Sequence, residues 1–347
     1  MFELIKKLSN AFGVSGYEEE VKEIIKAEVE KYVDEIKTDA LGNLICIRNG
    51  KDRRKLMIAA HMDEIGFVVK SIDEKGFIRV APIGGWFSQI ALAQRVVIYG
   101  KSRIYGVLGC KPPHLMKDEE RRKVIEISDM FVDVGATSKE DVLKMGIDVG
   151  SPVAIDRQVI ELSNGRITGK AFDNRVGVAV MIEALKRTQS DATIFAVATV
   201  QEEVGLKGAK TSAYSLEPDA AIAVDSCVAA DFPGSETAHM DIKLGKGAVI
   251  TVIDASGRGL IVSPLVLRWL KETAEKYNIP YQLEVAEGGT TDASAINLTK
   301  QGIPAGVISV PARYIHSPVE VVDLKDVESA TNLIARALET SKSYILP

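Results

Sequence analysis

Residues 193–209 read TIFAVATVQEEVGLKGA. An apolar, β-branched run, 193–200, passes through one glutamine into two adjacent carboxylates, Glu202 and Glu203. The run has the length and composition of a buried strand. A buried strand that ends on paired like charges needs either water at the sheet edge or something positive to hold them. Three other runs behave in the same way. KLMIAA (55–60) ends at His61, with Asp63 two residues on, and DAAIAV (219–224) ends at Asp225. AGVISV (305–310) is followed by PARYIHSP, which carries His316. A further carboxylate, Asp173 in GKAFDNRVG, precedes an apolar helix.

Around these strands, residues 175–187, 263–278 and 323–344 have helical spacing. From about residue 168 onward strand and helix alternate, which predicts an α/β sheet with helices on both faces. The N-terminus predicts a short amphipathic helix over 2–12. After the break GVSG comes a second helix to about 33, with Ser15 and Glu18 at capping-box spacing. Between these parts, residues 68–164 change texture. Short strand-like pieces such as QRVVIYG, SRIYGVLG and DMFVDVG alternate with turns, around one short helix over 138–145. The expected organisation is a discontinuous α/β domain, 1–67 and 165–347, interrupted by a small β-rich module.

The chain has 347 residues, 46% hydrophobic and 26% charged, enough for a sizeable core. Its net charge is −5 and no basic stripe is present, so nucleic acid is not an expected partner. No apolar run approaches the roughly 18 residues of a membrane span. The opening MFELIKKLSN lacks the apolar core of a signal peptide, so a cytoplasmic protein is expected. Cys46, Cys110 and Cys227 are far apart with no CxxC pair, which suggests buried thiols in a reducing compartment.

In open α/β sheets ligand sites lie beyond the carboxyl ends of the strands. Two histidines and three carboxylates converging there suit Zn²⁺ or Co²⁺, with one carboxylate shared between two ions. Of two neighbouring glutamates, one can then ligate while the other faces a water as general base. Each residue also has a bland reading. A strand-end Glu pair is often solvated, an Asp before a helix is often an N-cap, and a strand-end Asp is often a turn former. The residues alone leave both readings open.

The motifs are more specific than the spacing. AAHMDEIGF (59–67), GKAFDNRVG (169–177), VQEEVGLKGA (200–209), AVDSCVAADFPG (223–234) and PARYIHSPVE (311–320) resemble, in this order, the M42 family of metallo-aminopeptidases. The resemblance runs from GVSGYE to the last helix. It implies a Zn-peptidase-like α/β domain with an inserted, β-barrel-like dimerisation domain. It also implies hydrolysis of N-terminal residues from short peptides, with dimers assembling further into a tetrahedral homododecamer. Residue by residue, it implies two divalent ions, Zn or Co. His61 and Asp225 would bind one, Glu203 and His316 the other, and Asp173 would bridge. Glu202 would be the general base and Asp63 would orient His61.

Two positions depart from the family pattern: Ser226–Cys227 after Asp225, and Thr290 in GGTTDAS, a loop expected to line the substrate pocket. Cys227 is read as a buried spectator. His114 and His239 lie in loop-like stretches and are read as non-ligands. Two competing readings are a glycoside hydrolase, which also needs two carboxylates, and a non-catalytic cage-forming scaffold. Few aromatics to stack sugars (6%) count against the first, and a complete set of ligand positions counts against the second.

Overall fold

A computed structural model describes residues 1–235 and 240–345. The core is an eleven-stranded mixed sheet. Its order runs Glu35–Thr38, Leu44–Arg48, Thr193–Thr199, Lys55–His61, Ala220–Val228, Ala305–Arg313, Glu320–Asp323, Arg166–Gly169 and Ile160–Glu161. Ala248–Ile253 joins Ala305–Arg313 off this path and carries Tyr281–Val285 on its outer edge. The four central strands, Thr193–Thr199, Lys55–His61, Ala220–Val228 and Ala305–Arg313, are mutually parallel. They are buried almost throughout, as a central parallel strand covered on both faces must be.

Because these strands run the same way, their carboxyl ends share one edge. Ala59 pairs with Ala223, so His61 and Asp225, each two residues further on, stand level on neighbouring strands, and Thr199, just before the glutamate pair, pairs with His61. Helices flank the sheet. Phe172–Arg187 packs on the central strands and on Leu324–Thr340, while Lys207–Leu216 and Asp292–Asn297 pack together over Thr193–Thr199 and Lys55–His61. No helix among the described residues is long and apolar enough to cross a membrane.

Six strands between Gly66 and Ile155 close into a separate antiparallel barrel with its own core of Phe67, Val80, Val96, Ile98, Val132 and Val153. The barrel thus leaves the main sheet directly after the His61–Asp63 loop. The short helix expected over 138–145 is Lys139–Lys144, capped by Ser138, whose hydroxyl accepts from Asp141 N. Ser15 does not play the analogous role. The second helix begins at Glu19 with no side-chain cap, because the Ser15 hydroxyl is bonded to Asp63 instead. Cys46 and Cys227 are buried as expected, whereas Cys110 is only half-buried. His114 sits on an exposed turn, Pro113–Leu115, beside the barrel, and His239 lies outside the described residues.

Candidate metal centre

Asp63 explains how two like charges can follow one another at a strand end. It is wholly buried, and its carboxylate accepts from Glu202 N at 3.0 Å, Glu203 N at 3.2 Å and Ser15 Oγ at 2.6 Å. The backbone of the glutamate pair is therefore gripped from the neighbouring strand end, and the two side chains diverge into one cavity. The same carboxylate lies 3.4 Å from His61 Nδ1, so the opposite ring nitrogen, Nε2, faces the site. This is the arrangement by which a carboxylate fixes the orientation of a ligating imidazole.

Nε2 of His61 is 3.2 Å from Asp173 Oδ1 and 3.7 Å from Asp225 Oδ1. Nε2 of His316 is 3.4 Å from Asp173 Oδ2 and 3.3 Å from Glu203 Oε1. Asp173 thus turns one oxygen to each histidine. Two triads result, His61–Asp173–Asp225 and Asp173–Glu203–His316, with donor atoms in each all within 4.8 Å of one another. Glu202 belongs to neither. Its Oε2 stands 3.9 Å from His61 Nε2, on the wall of the same cavity.

The supports of Asp173 are long-range. Glu320, buried, accepts from the backbone N–H of both Asp173 and His316 at 2.9 Å, tying the shared carboxylate to one histidine. Asn174 Nδ2 donates to Val224 O at 2.7 Å, which holds the Asp173 loop against the strand Ala220–Val228 that carries Asp225. Gly177 makes room for this: a Cβ there would come within 2.0 Å of Asn174 Oδ1. Behind the loop, Glu64 accepts from Lys170 at 2.6 Å and faces Arg175 at 3.4 Å, all three buried. This charge cluster joins the segment after Asp63 to the residues on either side of Asp173. The backbone is left-handed at Ala171, Gln201 and His316, beside or at candidate ligands, where strain held by the surroundings is expected.

Neither Glu320 nor the Glu64–Lys170–Arg175 cluster stood out in the sequence. Glu320 closes the quoted motif PARYIHSPVE, but only the fold shows which backbone groups it meets.

The electrostatics ask for positive charge. Burial pushes the carboxyls of Glu202, Glu203 and Asp225 upward. Burial opposes the protonated form of His316, yet Asp173 and Glu203 hold it up at about 11, and His61 is likewise held high by Glu202, Asp173, Asp225 and Asp63. Asp173 is held low despite its burial by the two histidines. Its Oδ1 is buried with no hydrogen-bond partner. A nitrogen and oxygen donor set around one shared carboxylate, with a buried oxygen lacking a hydrogen bond, fits divalent cations of the zinc and cobalt type.

The sign of these shifts predicts how metal-free protein behaves. A raised carboxyl or histidine contributes stability below its unfolded value and loses it as pH rises through its folded value. Glu202, Glu203, Asp225, Glu320, His61 and His316 all belong to this class. Asp63 and Asp173, held low, act in the opposite sense and only towards acid pH. The melting temperature of chelator-treated protein is therefore expected to fall as pH rises from about 5 towards 11, where His316 loses its proton, and added Zn²⁺ or Co²⁺ to remove most of that fall. Thermal melts across the range, with and without metal, check it.

The centre opens into a cavity of about 660 Å³ lined also by Ser226, Cys227, Thr251, Glu284 and the loop Gly288–Thr291. Burial pushes the Cys227 thiol far up, so it presents no thiolate to the site.

Known proteins resemble the whole chain. The profile of the M42 glutamyl aminopeptidase family matches residues 42–333. The lysyl aminopeptidase of Pyrococcus furiosus is 36% identical over 98% of this chain and 97% of its own. The solved structure of an aminopeptidase from the archaeon Desulfurococcus kamchatkensis superposes with a TM-score of 0.93 at 49% identity, covering 97% of this chain and 94% of that one. A TET1 peptidase of Pyrococcus horikoshii, described as able to assemble into a tetrahedron or a large octahedral shell, superposes with a TM-score of 0.87 at 35% identity, covering 97% and 98%. A mixed sheet, a barrel inserted after a strand-end histidine and five converging donors are thus set in a chain that matches these aminopeptidases end to end, and it belongs to the M42 peptidase family.

Proposed function

We propose that the chain is a two-metal aminopeptidase with Glu202 as general base. The observation that carries this reading is Asp173, whose two oxygens face two different histidines. His61 and Asp225 would hold one divalent cation, Glu203 and His316 the other, and Asp173 would be shared, with Zn²⁺ or Co²⁺ as the ions. Such ions supply a polarised substrate carbonyl and a water of lowered pKa. Glu202, whose Oε2 lies on the wall of the same cavity, would take a proton from the water whose oxygen bonds to the carbonyl carbon, and would return it to the amine as the C–N bond breaks. Asp63 keeps His61 aligned throughout and fixes the glutamate pair by its backbone.

Short peptides with free N-termini are the proposed substrates, and the barrel is the proposed dimerisation domain. Dimers would assemble further into a tetrahedral dodecamer, as the described behaviour of the P. horikoshii protein supports. No Phe, Tyr or Trp among the described residues lines the cavity, which disfavours stacking of sugars and hence the glycosidase reading.

The test is hydrolysis of free and N-acetylated aminoacyl-p-nitroanilides by chelator-stripped protein, then after adding Zn²⁺ or Co²⁺. Activity restored by metal, and confined to free N-termini, is the expected result. Metal-independent activity, or none on any free N-terminus, contradicts it.

A further inference from the structure

The matched proteins carry lysyl and glutamyl names alike, so side-chain preference has to be read from this chain's own cavity. Beyond the candidate ligands, the wall includes Glu284, Asp254 and Glu287, and no Lys or Arg among the described residues. The three acids are not equivalent. Asp254 is committed to the chain: its carboxylate accepts from Leu260 N and from Ser294 Oγ at 3.2 Å. Glu287 is exposed at the rim.

Glu284 is 7% exposed, and among the described residues Thr251 is its one hydrogen-bond donor, Oγ1 giving to Oε2 at 2.8 Å. Among the described residues its other oxygen has no such partner, and no cation pairs with it. Burial first, then Asp225 and Asp254, push its carboxyl upward, as expected of a buried acid lacking a counter-ion. Ser226 Oγ and Thr291 Oγ1, on the same wall, are also buried without partners. Apolar residues line the same cavity: Met240 and Ile315, with Val228 and Val285 where it meets solvent.

An apolar wall with a carboxylate at one place suits an amphipathic cation, whose methylene stem packs while its charged head finds an acid.

Resting on the aminopeptidase reading, we propose that Glu284 selects substrates with an N-terminal lysine or arginine by pairing with the side-chain cation. An acidic N-terminal residue would meet Glu284, Asp254 and Glu287 with like charge and be rejected.

The experiment compares kcat/KM of metal-loaded protein on Lys-, Arg-, Leu- and Glu-p-nitroanilide. Lys and Arg are expected to exceed Leu and Glu by about tenfold or more. In Glu284→Gln, which keeps the shape and the Thr251 contact, the Lys-to-Leu ratio is expected to fall at least about tenfold, with an unchanged melting temperature. Independently of any variant, L-lysine should inhibit the wild-type protein more strongly than L-norleucine, which has the same stem without the ammonium. Preference for Leu or Glu overturns this inference and leaves the aminopeptidase reading standing. An equal loss on all substrates in Glu284→Gln overturns it too, because the carboxylate would then serve the α-ammonium or the metal centre. Hydrolysis of none overturns both.

Discussion

Glu202→Gln is expected to lower kcat/KM on aminoacyl substrates by about 10²–10⁴-fold while leaving both cations bound. The amide preserves the volume of the side chain and cannot accept the proton. Glu202 stands outside both donor triads, so its replacement removes no proposed ligand. Its burial supports the role from another direction: a carboxyl pushed upward is closer in proton affinity to the groups it exchanges with near neutral pH. Kinetics and elemental analysis on the same preparation separate the two possibilities. Lost activity with full metal content identifies a base, and lost metal identifies a ligand.

Asp173→Ala is expected to have the larger effect, removing both ions and all measurable hydrolysis. Every other candidate ligand serves one triad, and Asp173 serves two. Without it His61 and His316 lose their common partner, and Glu202, Glu203 and Asp225 remain as buried like charges around a depleted site. Asp225→Ala, by contrast, should leave the Glu203–His316 side able to hold one ion. Metal-to-protein ratios after gel filtration distinguish these outcomes. Equal loss from both variants would mean that the two sites depend on one another more than the shared carboxylate explains.

The cluster behind the site makes a separate prediction about stability. Glu64→Gln leaves Lys170 and Arg175 buried without their anion, which costs about 3–5 kcal/mol when a buried ion pair loses one partner. Chemical denaturation of the metal-free protein measures this without interference from bound ions.

The strand ends were legible because burial on both faces writes central parallel strands as continuous apolar runs, so the first charged residue marks the carboxyl end. That rule placed His61, Glu202 and Glu203 at strand ends, but it stopped short on one strand: Ala220–Val228 continues three residues past Asp225, whose carboxylate enters the site from within the strand. It could not say that His61 sits beside the glutamate pair, since the neighbour of Lys55–His61 in the sheet comes from more than a hundred residues later. The barrel was visible as texture, short strands between turns, but its closure rests on pairing Gly66–Ile72 with Pro152–Ile155, which no local pattern records.

Ser15 shows how a local rule can mislead. Its spacing to Glu18 is that of a capping box, yet a buried carboxylate from 48 residues away takes the hydroxyl. Glu18 in turn accepts from Gly16 N and Gln201 N, so both ends of the supposed cap serve the strand-end loops. Glu320, Glu64, Lys170 and Arg175 escaped notice for the same reason. Apart from the His316–Glu320 contact, their partners are distant in sequence, and a charged residue beside a loop ordinarily faces water.

The measurement that bears most directly on the central claim is anomalous scattering from crystals grown with Zn²⁺, recorded on both sides of the zinc edge. Two peaks are predicted, one among His61, Asp173 and Asp225 and one among Asp173, Glu203 and His316, with Asp173 common to both. A single peak, or zinc bound elsewhere with these side chains uncoordinated, would contradict it.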